Sequence, residues 1–484
     1  MRLQICEIAS AVNAAQTIEA KDLITGITWD SREVKPGDMY VALPGERVDG
    51  HDFIHAAETS GARAVMVSRD VDADVHVVRV DDTAKALVDL ARYWRTQLRG
   101  TVVGLTGSTG KTTTKNLVRD VLAHSMSVVA TKANQNNELG VPRTLLAADD
   151  DTSVVVVEMG MRGLGQIAEL CDYAHPDWGL VTNVGESHIE LLGSRLNIAH
   201  AKAELFEGLP DGRGVAFVNA DDEYASELVR HARLAERGVR VVYFASSDSW
   251  KQAEDLAIAA NGSPVVWASD VALDAEGRPT FTMNASWFDA LDKPQANGSL
   301  TCSLDLRGMH NVSNACSAAA VGLAAGMTLA QCCEALAKAQ PEQGRQQVLH
   351  AASGITIVDD SYNANPDSMR ASLATFAALD VPGRRIAVLG DMLELGDFSQ
   401  ECHERVGKMA AAAGLDELVC VGPLSRALAH AAREAGMPVD AITNCADAQE
   451  ALNVVRAMAK EGDAVLVKAS HSIGLSRVAE GLVG

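Results

Sequence analysis

The sequence predicts an α/β chain of three domains: a small α/β unit, a central domain with a mostly parallel sheet, and a C-terminal Rossmann-like domain. Three observations carry this. At 484 residues the chain is too long for one ordinary core. Short apolar runs alternate with helical segments along most of its length, the pattern of a helix-covered parallel sheet. One of those runs, Thr101–Thr106, opens directly into a glycine-rich turn and then a helix.

Taken in order, residues 1–99 hold short strands at Met39–Leu43 and Ala64–Ser68 and a closing helix at Thr83–Arg99, with Arg99-Gly100 as linker. Residues 100–340 start with the strand Thr101–Thr106 and a helix from Lys111. Apolar strands follow at Val154–Glu158, Gly179–Thr182, Val215–Asn219 and Val241–Phe244, with a helix at Ser194–Leu209. Residues 255–306 break the rhythm with Gly, Pro and alternating polar and apolar positions, which predicts antiparallel strands. Two Ala-rich helices then span about Asn311–Ala325 and Thr328–Ala339. Gln340–Gly344 marks the second boundary, and residues 341–484 carry strands at Ile355–Asp359, Arg385–Leu389, Glu417–Val421 and Ala464–Val467 between helices.

Composition narrows the function classes. Hydrophobic residues make up 47% and aromatics only 4%, so the cores are aliphatic. A net charge of −22 leaves no excess of Lys or Arg to displace phosphate counterions, which argues against nucleic acid. Nine cysteines without a CxxC pair read as reduced, mostly buried thiols. The opening residues Met1–Val12 lack a basic segment before a long apolar run, and no apolar stretch reaches ~18 residues. The expectation is a cytoplasmic protein with no membrane insertion.

The strongest local signal is Gly104-Leu-Thr-Gly107-Ser108-Thr109-Gly110-Lys111-Thr112-Thr113-Thr114, between strand and helix. Backbone N–H groups of such a loop point inward at a helix N-terminus and can cradle phosphates. Lys111 supplies a point charge for β- and γ-phosphates, and the Thr112 hydroxyl can reach Mg²⁺. Leu105 stands where the strict pattern has its first Gly, leaving the shorter T-G-x-x-G-K-T-T loop. Glu158 ends a central strand, where a carboxylate falls beside the phosphate loop and can hold Mg²⁺. His188, just past the next strand, reads on its own as a hydrogen-bonded structural histidine. Lys202, in mid-helix, reads on its own as a solvated lysine. The cluster Asp359–Pro366 can cap a helix or touch a ribose or substrate, and both readings stay open. Gly390–Gly396 after the next strand has the same two readings.

In this order these residues resemble the Mur ligase family, and the resemblance covers essentially the whole chain. It implies ATP and two Mg²⁺ ions, the metal ligands being Thr112, Glu158, His188 and a carbamylated Lys202, with Lys111, His188 and Lys202 catalytic. The carbamate turns a cation into an anion that can bind or orient metal. Asn311–Asn314, preceded by His310, is similar to the family's adenine-contacting segment; Arg345, after Gly344, and Asp360 are similar to its nucleotide contacts from the third domain. Asp30-Ser31-Arg32, Lys35–Asp38 and Val41–Phe53 resemble a UDP-sugar domain, implying substrate contacts at Ser31, Arg32, Gly45 and Asp49.

Asn134–Pro142, with Asn136 and Asn137 as further substrate contacts, Glu158–Gly163 and Asp360–Asn365 are most similar to the member that joins D-alanyl-D-alanine to a UDP-N-acetylmuramoyl-tripeptide. The sibling that adds diaminopimelate or lysine usually carries an Asp-Asn-Pro-Arg motif, absent here. The family's usual Lys-Gly-Ser-Arg reads Lys468-Ala469-Ser470-His471 in this chain. The resemblance implies a monomer, small-molecule partners and an acyl-phosphate reaction, with hinges near residues 99–100 and 340–345. A folylpolyglutamate-type synthetase shares the phosphate loop but has no place for residues 30–53. A phosphate-loop regulator that hydrolyses ATP without a ligase substrate is the rival from another class.

Overall fold

The computed structural model describes residues 1–45, 48–252 and 262–483. Residues 46 and 47 of the 30–53 pattern, and 255–261 of the expected antiparallel segment, lie outside them.

The N-terminal part carries a four-stranded, all-parallel sheet in the order Gly26–Thr28, Asp38–Val41, Ala64–Val67, His76–Arg79. The closing helix is Thr83–Gln97, two residues shorter than expected. Asp82 starts it by accepting from Ala84 N and Lys85 N at 2.8 and 3.0 Å, which satisfies two of the donors a helix N-terminus leaves open. Leu98 turns extended and ends it. Trp94 on this helix donates to Ala148 O at 3.1 Å, tying the first domain to the second.

The central sheet has nine strands, ordered Gly298–Ser303, Pro279–Ser286, Val265–Leu273, Arg240–Ala245, Val215–Asn219, Trp178–Val181, Thr101–Thr106, Val154–Glu158, Val128–Ala130. The last seven of these run parallel. Val154–Glu158 is buried at every position, as a strand covered by helices on both faces requires. The three strands between residues 265 and 303 are each antiparallel to the next, and they extend the same sheet instead of forming a separate one. Helix Lys111–Ala123 packs on the Ala-rich helix His310–Ala324, of which 13 of 15 residues are buried. Contact is close enough that a Cβ at Gly322 would meet Val121 Cγ1 at 2.6 Å. Small residues are what let this helix lie between neighbours.

The C-terminal sheet has six strands, ordered Gln347–His350, Thr356–Asp359, Ala464–Lys468, Arg385–Gly390, Glu417–Val421, Ile442–Cys445, all parallel except the first. Asn365 caps helix Pro366–Ala377 through Ser368 N at 2.8 Å, with Pro366 in the first turn. Capping is thus one of the roles of the 359–366 cluster. All nine cysteines are free; eight are buried and Cys6 is half-buried. Among the described residues no helix is long and apolar enough to cross a membrane.

Candidate active site

Strand Thr101–Thr106 delivers the chain to the loop, and two glycines make the turn possible. Gly107 has φ +155° and packs on the Thr182 side chain; Gly110, at φ +75°, starts helix Lys111–Ala123. Only glycine adopts such angles at no steric cost. The neighbouring strand end fixes the loop: Ser108 N donates to Asn183 O at 3.0 Å, and Thr109 N and Oγ1 donate to Asn183 Oδ1 at 3.0 and 3.2 Å. Lys111 curls back, its Nζ donating to Gly107 O at 2.8 Å. Thr113 lies in the same first turn, on the cavity wall.

Beside the loop sits a buried polar cluster. Glu158, 1% exposed, accepts at Oε1 from Asn136 Nδ2 at 2.8 Å and from Thr112 Oγ1 at 3.4 Å. Its Oε2 is buried with no hydrogen-bond partner. His188 Nδ1 is also buried, with Glu394 Oε2 2.8 Å away as its charged neighbour. Burial, and then the charge of Lys111, push the His188 imidazole down to about 4, so it is neutral at pH 7 and able to act as a ligand. Lys202 is not the solvated lysine that helix position alone suggests. It is 1% exposed on helix Arg195–Glu207, where eight of 13 residues are buried. Burial, reinforced by the Lys111 charge and opposed by Asp222, drives its ammonium far below the ordinary lysine value. Burial also lowers the Lys111 ammonium, against the attraction of Glu158. A buried carboxylate oxygen without a partner, a neutral ring nitrogen and a threonine hydroxyl are donors that fit a small divalent cation.

The opposite wall comes from the C-terminal domain. Arg345 donates to Thr112 Oγ1 at 2.9 Å and stacks 4.2 Å over the Tyr362 ring. Asp360 lines the cavity, yet its carboxylate is engaged by Lys468 Nζ at 2.7 Å, by Gln346 N at 3.2 Å and by Ser372 Oγ. That is a positioning role for the bend that carries Arg345, just before strand Gln347–His350, and it leaves Asp360 little capacity for a ribose. His471 sits 5.6 Å from the Tyr362 ring. Asn311 anchors to Arg307 O at 2.7 Å and accepts from Asn314 at 2.9 Å.

These two walls enclose a cavity of about 1340 Å³. It brings together Ser108–Thr113, Asn136, Asn137, Glu158, His188, Asn311, Arg345 and Asp360. The expected first-domain residues are not on its wall. The Arg32 guanidinium donates twice to Asp30 (2.8 and 2.6 Å) and its backbone N–H once (3.0 Å), and Ser31 lies in the same turn. Gly45 bonds to Val48 O at 3.1 Å, and Asp49 orients the buried His51 at 2.6 Å. Asn137 caps a turn through Gly140 N at 3.0 Å.

Sequence reasoning missed how firmly the loop 183–188 is held across the domain boundary. Asn365 donates to Ser187 Oγ at 2.6 Å, Asp367 accepts from Glu186 N at 3.1 Å, and Arg405 pairs with Glu186. Such pairs join residues about 180 to 220 positions apart, beyond the reach of any local pattern. Lys115, 1% exposed and donating to Ala133 O at 2.9 Å, was also unmarked.

Comparison with known proteins supplies the rest. The Mur ligase middle domain matches residues 105–322, the Mur ligase glutamate ligase domain 344–471, and the Mur ligase family catalytic domain 23–95. A UDP-N-acetylmuramoyl-tripeptide–D-alanyl-D-alanine ligase of Mycobacterium leprae is 37% identical, the match covering 96% of this chain and 94% of that one. The ligase of the same name from Escherichia coli is 36% identical over 84% of this chain and 83% of its own. Among solved structures, MurF from Acinetobacter baumannii superposes with a TM-score of 0.81 at 29% identity, covering 100% and 99% of the two chains. MurF ligase from Thermotoga maritima in complex with ADP gives 0.72 at 28% identity, covering 94% and 96%.

Proposed function

The chain belongs to the Mur ligase family and joins D-alanyl-D-alanine to UDP-N-acetylmuramoyl-tripeptide using ATP, and we propose that it does so through an acyl phosphate formed at the cavity between its central and C-terminal domains. The observation that carries this is the meeting, in one cavity, of the phosphate loop, the unsatisfied Glu158 and His188 atoms and the third-domain Arg345.

The domains run 1–99 for the UDP-sugar peptide, 100–340 for ATP and 341–484 for the C-terminal partner of the nucleotide site. ATP lies with its phosphates on Gly107–Thr113, where helix N–H groups and Lys111 face them, and its adenine toward Asn311. Arg345 then serves as a nucleotide contact. Ser31, Arg32, Gly45 and Asp49 hold the UDP-sugar, and Asn136 and Asn137 reach the peptide. The terminal carboxylate of the tripeptide attacks the γ-phosphorus; the bond to the β–γ bridging oxygen breaks and ADP departs. The dipeptide amine then adds to the acyl carbon, loses a proton, and inorganic phosphate leaves. Lys111 and Arg345 offset the charge that builds on the transferring phosphoryl group.

Thr112, Glu158, His188 and carbamylated Lys202 would hold two Mg²⁺ ions, which supply further charge neutralisation when bound. Lys202 suits carbamylation because burial beside Lys111 keeps its amine neutral. That amine adds to CO₂ and loses a proton, giving a carbamate whose single negative charge is shared by two oxygens. The chain acts as a monomer in the cytoplasm.

The test is phosphate release from ATP with each UDP-peptide, with and without the amine, followed by product mass. Release should require both UDP-tripeptide and D-alanyl-D-alanine. A pocket built for a dipeptide leaves buried groups unpaired with single D-alanine, at about 1–3 kcal/mol per group, so the dipeptide wins a competition by about tenfold or more. Preferential addition of lysine or diaminopimelate to a UDP-muramoyl dipeptide overturns the assignment; phosphate release independent of the amine overturns the ligase chemistry.

A further inference from the structure

On the outer side of the helix that carries Lys202 lies a second group of ligating side chains that the ligase reaction does not use. Among the described residues, His200, Glu227 and His231 bring one ligand atom each to within 4.8 Å of one another. His200 stands on helix Arg195–Glu207; Glu227 and His231 stand four residues apart on helix Ala225–His231, a spacing that puts both on one helical face. His200 Nε2 is 2.8 Å from Glu227 Oε1, and the two imidazole rings stack at 3.9 Å with only 10° between their planes. The Arg230 guanidinium engages the other carboxylate oxygen, Oε2, at 3.0 Å and so leaves Oε1 on the histidine side. Glu207 reaches His231 Nε2 at 3.4 Å from the end of the first helix.

We infer that His200, Glu227 and His231 form a transition-metal site, with Glu207 or water as the fourth ligand, that cross-links the two helices. The donor set decides the class of ion. Two imidazoles and one carboxylate match the N/O preferences of zinc, whereas magnesium takes oxygen ligands and retains water. A tetrahedral zinc at ~2.0–2.1 Å from each ligand needs its donors roughly 3.3 Å apart. The present separations, 2.8 Å for His200 Nε2–Glu227 Oε1 and at most 4.8 Å within the group, bracket that value. The side chains are 27%, 19% and 34% exposed, open enough for an ion to enter and enclosed enough to hold rotamers. The alternative is a stacked histidine pair steadied by one ion pair, with no affinity for metal.

Zinc chloride titrated into EDTA-stripped full-length protein, with excess Mg²⁺ occupying the oxygen-rich site, distinguishes the two. Bound metal is read by calorimetry and by the zinc-dependent rise in Tm. The wild type should bind one zinc that both His231→Ala and Glu227→Gln weaken at least tenfold, while His188→Ala retains it. Each variant's Tm without zinc shows that it is folded, and Glu227→Gln decides the matter if His231→Ala does not fold. Equal zinc affinity in wild type and both helix variants overturns the proposal, as does loss of zinc in His188→Ala alone or no binding at micromolar zinc.

Discussion

The two walls of the cavity solve opposite problems. On the central-domain wall, Glu158 Oε2 and His188 Nδ1 are buried without a hydrogen bond, and burial lowers the ammonium of Lys111 and that of nearby Lys202. On the C-terminal wall, the Asp360 carboxylate is matched by Lys468, Ser372 and the Gln346 backbone N–H, and Gln346 Oε1 alone of this group is buried without a partner. An unmatched buried group costs stability and persists where something else supplies its partner; a matched network fixes geometry. Under the proposed function, the difference separates a wall that does chemistry from a wall that positions.

Breaking the first wall should give the largest effect. Lys111→Ala should leave the fold intact and remove several kcal/mol of transition-state stabilisation. Retention of more than roughly a tenth of kcat, a loss under ~1.4 kcal/mol, shows that the phosphate site is elsewhere. Lys202→Ala comes next, with activity lost and partly restored by a short carboxylic acid that fills the vacated space. A fully active mutant, or a high-resolution map with an unmodified ammonium and metal bound, ends the carbamate reading.

The second wall should fail differently. Lys468→Met strands the Asp360 carboxylate, which is only 13% exposed, and should cost about 3 kcal/mol of stability. The loss should show in the denaturant midpoint, and the Lys468→Met/Asp360→Asn pair should recover part of it. If the single mutant keeps its midpoint but loses activity, Lys468 belongs with the chemistry instead.

Per pH unit, the smallest effect is a slope in stability. Burial pushes His188 and His310 down to about 4, against about 6.5 in an unfolded chain. The unfolded state therefore binds more protons between those values, and stability falls as pH drops from about 6.5 toward 4. Each histidine contributes up to about 1.4 kcal/mol per pH unit in that window. His310→Asn should flatten the slope of the melting temperature over this range; an unchanged slope means that His310 titrates normally.

The first wall was largely legible in the sequence and the second was not. The glycine loop, Lys111 and Glu158 announce themselves because strand, turn and helix are local features with fixed offsets. His188 and Lys202 carry no such signal; their bland readings were a structural histidine and a solvated lysine, and only family resemblance singled them out. The burial of Lys202 comes from a helix covered on nearly all sides, a tertiary fact. The Asp360–Lys468 pair spans 108 positions, and a buried ion pair has no sequence period. Strands escaped notice for a related reason: Val128–Ala130 and Gln347–His350 lie at sheet edges, are short, and are only partly buried, so neither alternation nor a long apolar run marks them. The three strands between 265 and 303 were expected as antiparallel, but their continuity with the parallel sheet was set by pairing at one edge.

The distribution of thiols gives the molecule a built-in reporter. Eight cysteines are enclosed, and Cys6 alone among them reaches solvent, on helix Ile5–Ala11 of the first domain. Alkylating reagents need an accessible thiolate, so a maleimide dye should couple first at Cys6 in the unmodified chain. A fluorophore there rides on the domain assigned to the UDP-sugar peptide, and its polarisation can follow that domain's motion without any engineered cysteine.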